Sequence, residues 1–124
     1  MAQNHGKKIF MKNKYFEMVT KLLEQTRSKL VSKHQLEFKN CFGAVAVYVD
    51  GHIFISCGKF GVALKLPPET ITELFQQEGA SQLRYFPKGH VKKEYAVIPK
   101  RIIDDQGSFK KLLNKSIQYV LGLN

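Results

Sequence analysis

The chain has 124 residues, 44% of them hydrophobic and 11% aromatic, enough to bury one core and too few for two full domains. Its formal charge is +10, and wholesale disorder is excluded by the apolar content. No signal-peptide pattern opens the sequence and no run of about 18 apolar residues occurs, so a cytoplasmic protein with no membrane partner is expected.

Residues 1–12, with Asn4-His5-Gly6-Lys7-Lys8, carry no sustained period and read as a loose leader; residues 13–124 read as one domain. From Tyr15 to Val31, Tyr15, Phe16, Val19, Leu22, Leu23, Thr26 and Leu30 recur at three- and four-residue steps, which predicts an amphipathic helix with one buried stripe. Residues 42–49 then alternate as a strand, with Val45, Val47 and Val49 on one face and Ala44, Ala46 and Tyr48 on the other. Asp50-Gly51 follows, the strongest short hairpin signal, because both residues tolerate the positive φ of a type I′ turn. Ile53–Cys57 is the return strand. Gly58–Gly61 makes a second turn and Val62–Leu66 a third strand.

Pro67-Pro68 ends that strand, and Thr70-Ile71-Thr72-Glu73 offers a capping box for a short helix that closes at Gly79. Gln82–Phe86 and Val91–Ile98 read as a second hairpin around Pro87-Lys88-Gly89-His90. After Asp104 to Gly107, Ser108 is placed to cap a last helix whose stripe is Phe109, Leu112, Leu113, Ile117, Val120 and Leu121. The order α-βββ-α-ββ-α, with strands in blocks rather than alternating with helices, predicts an α+β, two-layer sandwich on an antiparallel sheet.

Little in the sequence points to catalysis. His5, His34, His52 and His90 lie in leader, loop and turns, no two at i, i+4, and no cysteine or carboxylate completes a metal set, so no metal or cofactor is expected. Asp104-Asp105 is read as a helix start rather than an acid–base pair. Gly58-x-x-Gly61 joins two strands and does not open a helix, as phosphate-binding loops do. Ser56 and Ser108 lack a histidine that would activate them, and an enzyme is not expected. Cys41 and Cys57 are read as reduced thiols, with a disulfide left open because two facing strands would bring them together.

The charge is placed unevenly. Residues 1–40 hold nine Lys/Arg against three Asp/Glu, residues 41–80 two against four, and residues 81–124 nine against three. Arg84, Lys88, Lys92 and Lys93 share one predicted hairpin with Tyr85, Phe86 and Tyr95, a mixture that grips phosphates and stacks on unpaired bases. Lys100, Arg101, Lys110 and Lys111 follow closely in sequence, with Lys115 just beyond. Together they form a candidate nucleic-acid surface, against which stands a solvated surface charged for solubility.

The run Asn40-Cys41-Phe42-Gly43-Ala44-Val45-Ala46-Val47-Tyr48-Val49-Asp50-Gly51, followed by Ile53-Phe54 and Val62-Ala63-Leu64-Lys65-Leu66, resembles the N-terminal domain of the TfoX (Sxy) family of competence regulators. Glu94-Tyr95-Ala96-Val97-Ile98-Pro99 and Ile103-Asp104-Asp105 continue the likeness. Ala44 and Ala46 stand where the family has glycines, and Cys41 where methionine is common. The resemblance implies a stand-alone domain with a secretion-chaperone-like sandwich that associates in pairs. It also implies a non-enzymatic regulatory or adaptor role in transcriptional control of DNA uptake, exerted through protein–protein contacts. The partners to expect are therefore a protein, with transcription machinery and a second copy of the chain as candidates, and nucleic acid as the alternative.

Overall fold

The computed structural model describes residues 13–123, so the expected leader lies outside the described residues but for its end. The elements run α1 (Lys14–Thr26), α2 (Lys29–Lys33), β1 (Leu36–Cys41), β2 (Ala44–Val49), β3 (His52–Gly58), β4 (Gly61–Lys65), α3 (Pro68–Glu73), β5 (Ser81–Leu83), β6 (Lys92–Val97), α4 (Lys100–Ile103) and α5 (Gln106–Val120). A single π turn, Leu74–Glu78, prolongs α3. The six strands form one sheet in the order β1-β2-β3-β4-β6-β5, every neighbouring pair antiparallel. The fold is the expected α+β two-layer sandwich.

Two type I′ hairpins start the sheet. Asp50 (φ 48°) and Gly51 (φ 87°) join β2 to β3 as predicted, and Phe42 (φ 53°) and Gly43 (φ 83°) join β1 to β2. Residues 42 and 43 are therefore a turn rather than the start of a strand, and β1 is an additional strand. The Asp50 carboxylate accepts the Gln35 N–H at 3.1 Å and the His34 Nδ1–H at 2.7 Å, which ties the start of β1 to the β2–β3 turn.

That hydrogen bond from His34, followed by the bond from Gln35, holds the Asp50 carboxyl below its ordinary 3.8. A depressed carboxylate contributes stability that is fully present above the unfolded pKa and is lost as pH falls through the folded one. Thermal midpoints should accordingly drop below pH 3.8 in the native chain. In His34→Ala the part of that drop due to Asp50 shrinks, and equal slopes in the two proteins would contradict the contact.

One face of the sheet carries Val45, Val47, Ile55, Cys57, Val62, Leu64 and Ala96, all buried. Against it lie Val19, Leu22 and Leu23 of α1 and Phe109, Leu113 and Ile117 of α5, the two stripes read from the sequence. Between Val47 and Tyr48 the register with β3 shifts, leaving Phe54 as an extra residue. The buried Ser116 hydroxyl of α5 donates to the Phe54 carbonyl at 2.9 Å. Cys57 is a free thiol, buried in this layer and pushed up to about 12 by desolvation. Strand β2 separates the strand of Cys57 from that of Cys41.

Local signals misplaced several ends. The first helix stops at Thr26, Arg27 turns left-handed (φ 51°), and Ser28 caps α2 by accepting the Val31 N–H while its hydroxyl bonds Asn114 of α5. The capping box at Thr70 does not form; the helix starts earlier, at Pro68, a residue suited to a first turn, and Thr70 is buried inside it. Asp105, not Ser108, caps α5, its Oδ1 accepting the Ser108 N–H at 3.3 Å. Strand β5 ends at Leu83, so Arg84, Tyr85 and Phe86 belong to the connection and not to a ladder.

Candidate functional site

The opposite face of the sheet carries no helix layer. One row of paired residues crosses all six strands on it: Lys39, Ala46, Ser56, Ala63, Val97 and Ser81. Ala44, Ala46, Ser56 and Ala63 are nonetheless buried. What covers them is the connection from β5 to β6, residues 84–91, which folds back across the sheet as a strap. The Tyr85 hydroxyl and the Ser56 Oγ hydrogen-bond at 3.2 Å, near the middle of the row.

The strap, the β1–β2 turn and the β3–β4 turn together bring four aromatic rings into contact. Tyr85 meets Phe42 at a centroid distance of 5.7 Å and Phe60 edge-on at 5.5 Å; Phe86 meets Phe42 edge-on at 5.2 Å. Small residues beneath make room for this layer. A Cβ on Gly58 would stand 2.8 Å from the Phe60 ring and 2.9 Å from the Ala44 methyl, so no side chain fits there. The outer rings stay in solvent, Phe42 at 68% and Phe86 at 51% exposure.

The predicted cations divide by use. The Arg84 guanidinium donates to the Gly89 carbonyl at 2.9 Å and closes the strap on itself. Lys100 pairs with Asp104 at 2.7 Å, and Arg101 donates to the Glu78 carbonyl at 2.7 Å and carboxylate at 2.8 Å, docking α4 on the end of the π turn. Lys92 and Lys93 open β6 beside a groove of about 380 Å³ lined by Ile71, Phe75, Val91 and Tyr95. Lys88 is exposed in the strap. Lys110 lines a polar cleft between the end of α1 and the start of α5 with Glu24 and Arg27, and Lys111 is exposed next to it. The structure thus gathers Arg84 and Lys88 on the strapped face, and leaves Lys110 and Lys111 with the helices on the other side of the sheet.

Sequence reasoning paired Tyr85 and Phe86 with these cations but passed over Phe42 and Phe60. The available signal was Phe42-Gly43 between two alternating runs, obscured because phenylalanine is uncommon at positive φ. Among the described residues no group of three or more His, Cys, Asp or Glu side chains is placed to hold a metal, and no helix is long and apolar enough to cross a membrane.

An antiparallel six-stranded sheet with helices packed on one face and an aromatic strap on the other defines an α+β sandwich domain. The sequence profile of the TfoX N-terminal domain matches residues 28–120, and the chain belongs to that family. No curated protein matches the chain.

Proposed function

We propose that the chain is a non-enzymatic regulatory or adaptor domain of the TfoX type, serving control of DNA uptake through protein–protein contacts, and that the outer edge of β1 is where the partner docks. The observation that carries this reading is the state of that edge. Strand β1 is the last strand of the sheet, six residues long, and pairs only with β2. In a two-residue hairpin the closing pair is hydrogen-bonded and the pattern alternates from there, so Leu36, Phe38 and Asn40 turn their backbone groups outward. Leu36 and Phe38 also line an apolar groove of about 320 Å³ with Leu23 and Val31, which a side chain of an added strand would fill.

A second copy fits this edge. Antiparallel pairing centred on Phe38 sets Glu37 of each copy opposite Lys39 of the other, and opposite charges facing across strands stabilise by roughly 0.2–1 kcal/mol per pair. Light scattering after size exclusion should therefore find a dimer. Glu37→Lys or Lys39→Glu alone shifts it toward monomer by on the order of tenfold in dissociation constant, and the double swap restores it. A monomer throughout, together with turnover of a metabolite by the purified chain, would overturn the reading.

A second reading, direct nucleic-acid contact, is favoured by the exposure of Lys88, Lys92, Lys93 and Lys111, none of which pairs with an acid among the described residues. It predicts binding that weakens steeply with salt.

A further inference from the structure

We propose that the strapped face of the sheet is a binding site for single-stranded nucleic acid, with Phe42 and Phe86 as stacking platforms for unpaired bases and Lys59, Arg84 and Lys88 as phosphate contacts. This deepens the nucleic-acid reading and rests on it.

Phe42 carries the argument. Two turns of the same kind sit in this sheet, and at their first positions stand Asp50 (φ 48°) and Phe42 (φ 53°). Aspartate suits the left-handed region and its carboxylate ties down Gln35 and His34. A bulky ring does not suit it, and the usual compensation, burial, is largely missing: Phe42 is 68% exposed. A strained residue that neither the backbone nor the core requires points to a role outside the isolated fold. Phe86 stands beside it in solvent, edge-on at 5.2 Å, so the two rings offer faces in different directions.

The rings sit on a rigid base. Tyr85 is bound to Ser56 and touches both Phe42 and Phe60, and the strap is closed by the Gly89 N–H donating to the Phe86 carbonyl at 2.9 Å and by Arg84 donating to the Gly89 carbonyl. Charge complements the rings. Lys59 neighbours Phe60, Arg84 and Lys88 lie in the strap, and residues 51–68 and 79–93 contain no Asp or Glu. Exposed aromatic faces among fixed cations, with no acid to repel phosphate, are what single strands are bound by, because every base has a π-face and every linkage a charge. Duplex DNA keeps its bases stacked away from such rings, so single strands are preferred.

The test is fluorescence anisotropy of the full chain at low salt with labelled oligothymidylate, oligouridylate and a duplex of equal length. At least one of the single strands should bind on the order of tenfold tighter than the duplex, and Phe42→Asn or Phe86→Ala should each weaken that binding by on the order of tenfold. Asparagine suits the left-handed turn, so Phe42→Asn should keep the thermal midpoint of the native chain while losing binding, which a purely structural role for Phe42 would not do. Equal affinity for duplex and single strands, sensitive to Lys92→Glu and Lys93→Glu but not to the rings, would overturn the inference and leave the broader reading standing. No binding of any oligomer would remove both. Loss of self-association in the ring variants without change in oligomer binding would make this face a protein interface and overturn the inference as well.

Discussion

Phe109→Ala should destabilise the domain by about 3–5 kcal/mol, the usual range for removing a buried phenylalanine ring. Phe109 is 1% exposed at the start of α5 and belongs to the cluster shared by both helical stripes and the sheet. Asp105 fixes the helix just before it, so α5 is not free to slide and fill the hole. A domain of this size has a total stability of roughly 5–15 kcal/mol, so this one truncation removes a large fraction of it. In urea the midpoint falls while the slope stays, since the surface exposed on unfolding changes little. Phe109→Leu, which keeps most of the volume, should cost clearly less. A loss below about 1 kcal/mol for the alanine variant would show that α5 does not pack on the sheet as described.

The second large effect belongs to the strap. Tyr85→Ala deletes the ring on which Phe42 and Phe60 both rest and leaves the buried Ser56 hydroxyl without that hydrogen bond. An orphaned buried hydroxyl costs about 1–3 kcal/mol, and each aromatic pair contributes about 0.5–1.5 kcal/mol beyond its buried area. A loss on the order of 3 kcal/mol is expected from thermal denaturation. Tyr85→Phe keeps the ring contacts and loses only the hydroxyl bond, so it should be the milder of the two. If both variants melt with the native chain, the strap is not packed on the sheet. The same pair separates stability from binding: Tyr85→Ala unseats Phe42 and Phe86, whereas Tyr85→Phe leaves them in place.

Much of this architecture was legible because its signals are local. Val45, Val47 and Val49 alternate, Asp50-Gly51 supplies the turn, and the stripes of α1 and α5 repeat at helical spacing; each element declares itself within ten or fifteen residues. Strand β1 was hidden for a physical reason. It is an edge strand whose outward positions hold Glu37 and Lys39, so it shows no apolar run, and its turn is made by a phenylalanine. The break at Arg27 was masked by a stripe that continues through Leu30, and what decides it is Ser28 bonding Asn114, 86 positions away.

The site was half legible. Arg84, Lys88, Tyr85 and Phe86 were marked by composition, but their use depends on which face of the sheet the connection crosses, and no local pattern specifies that. Reading residues 82–86 as strand would have put Tyr85 on the face opposite Arg84 and Phe86. In the fold β5 ends at Leu83, and a register shift at Gln82–Leu83 releases the chain to cross the open face. Lys100 and Arg101, close to the hairpin in sequence, are instead spent on Asp104 and Glu78.

The most direct measurement is a set of nuclear Overhauser contacts from the Tyr85 ring in the unliganded protein. Cross-peaks to the Ser56 β-protons and to the rings of Phe42 and Phe60 are predicted. A Tyr85 ring with contacts only to its sequence neighbours, over a sheet face open to solvent at Ala46 and Ala63, would contradict the account and take the proposed platform with it.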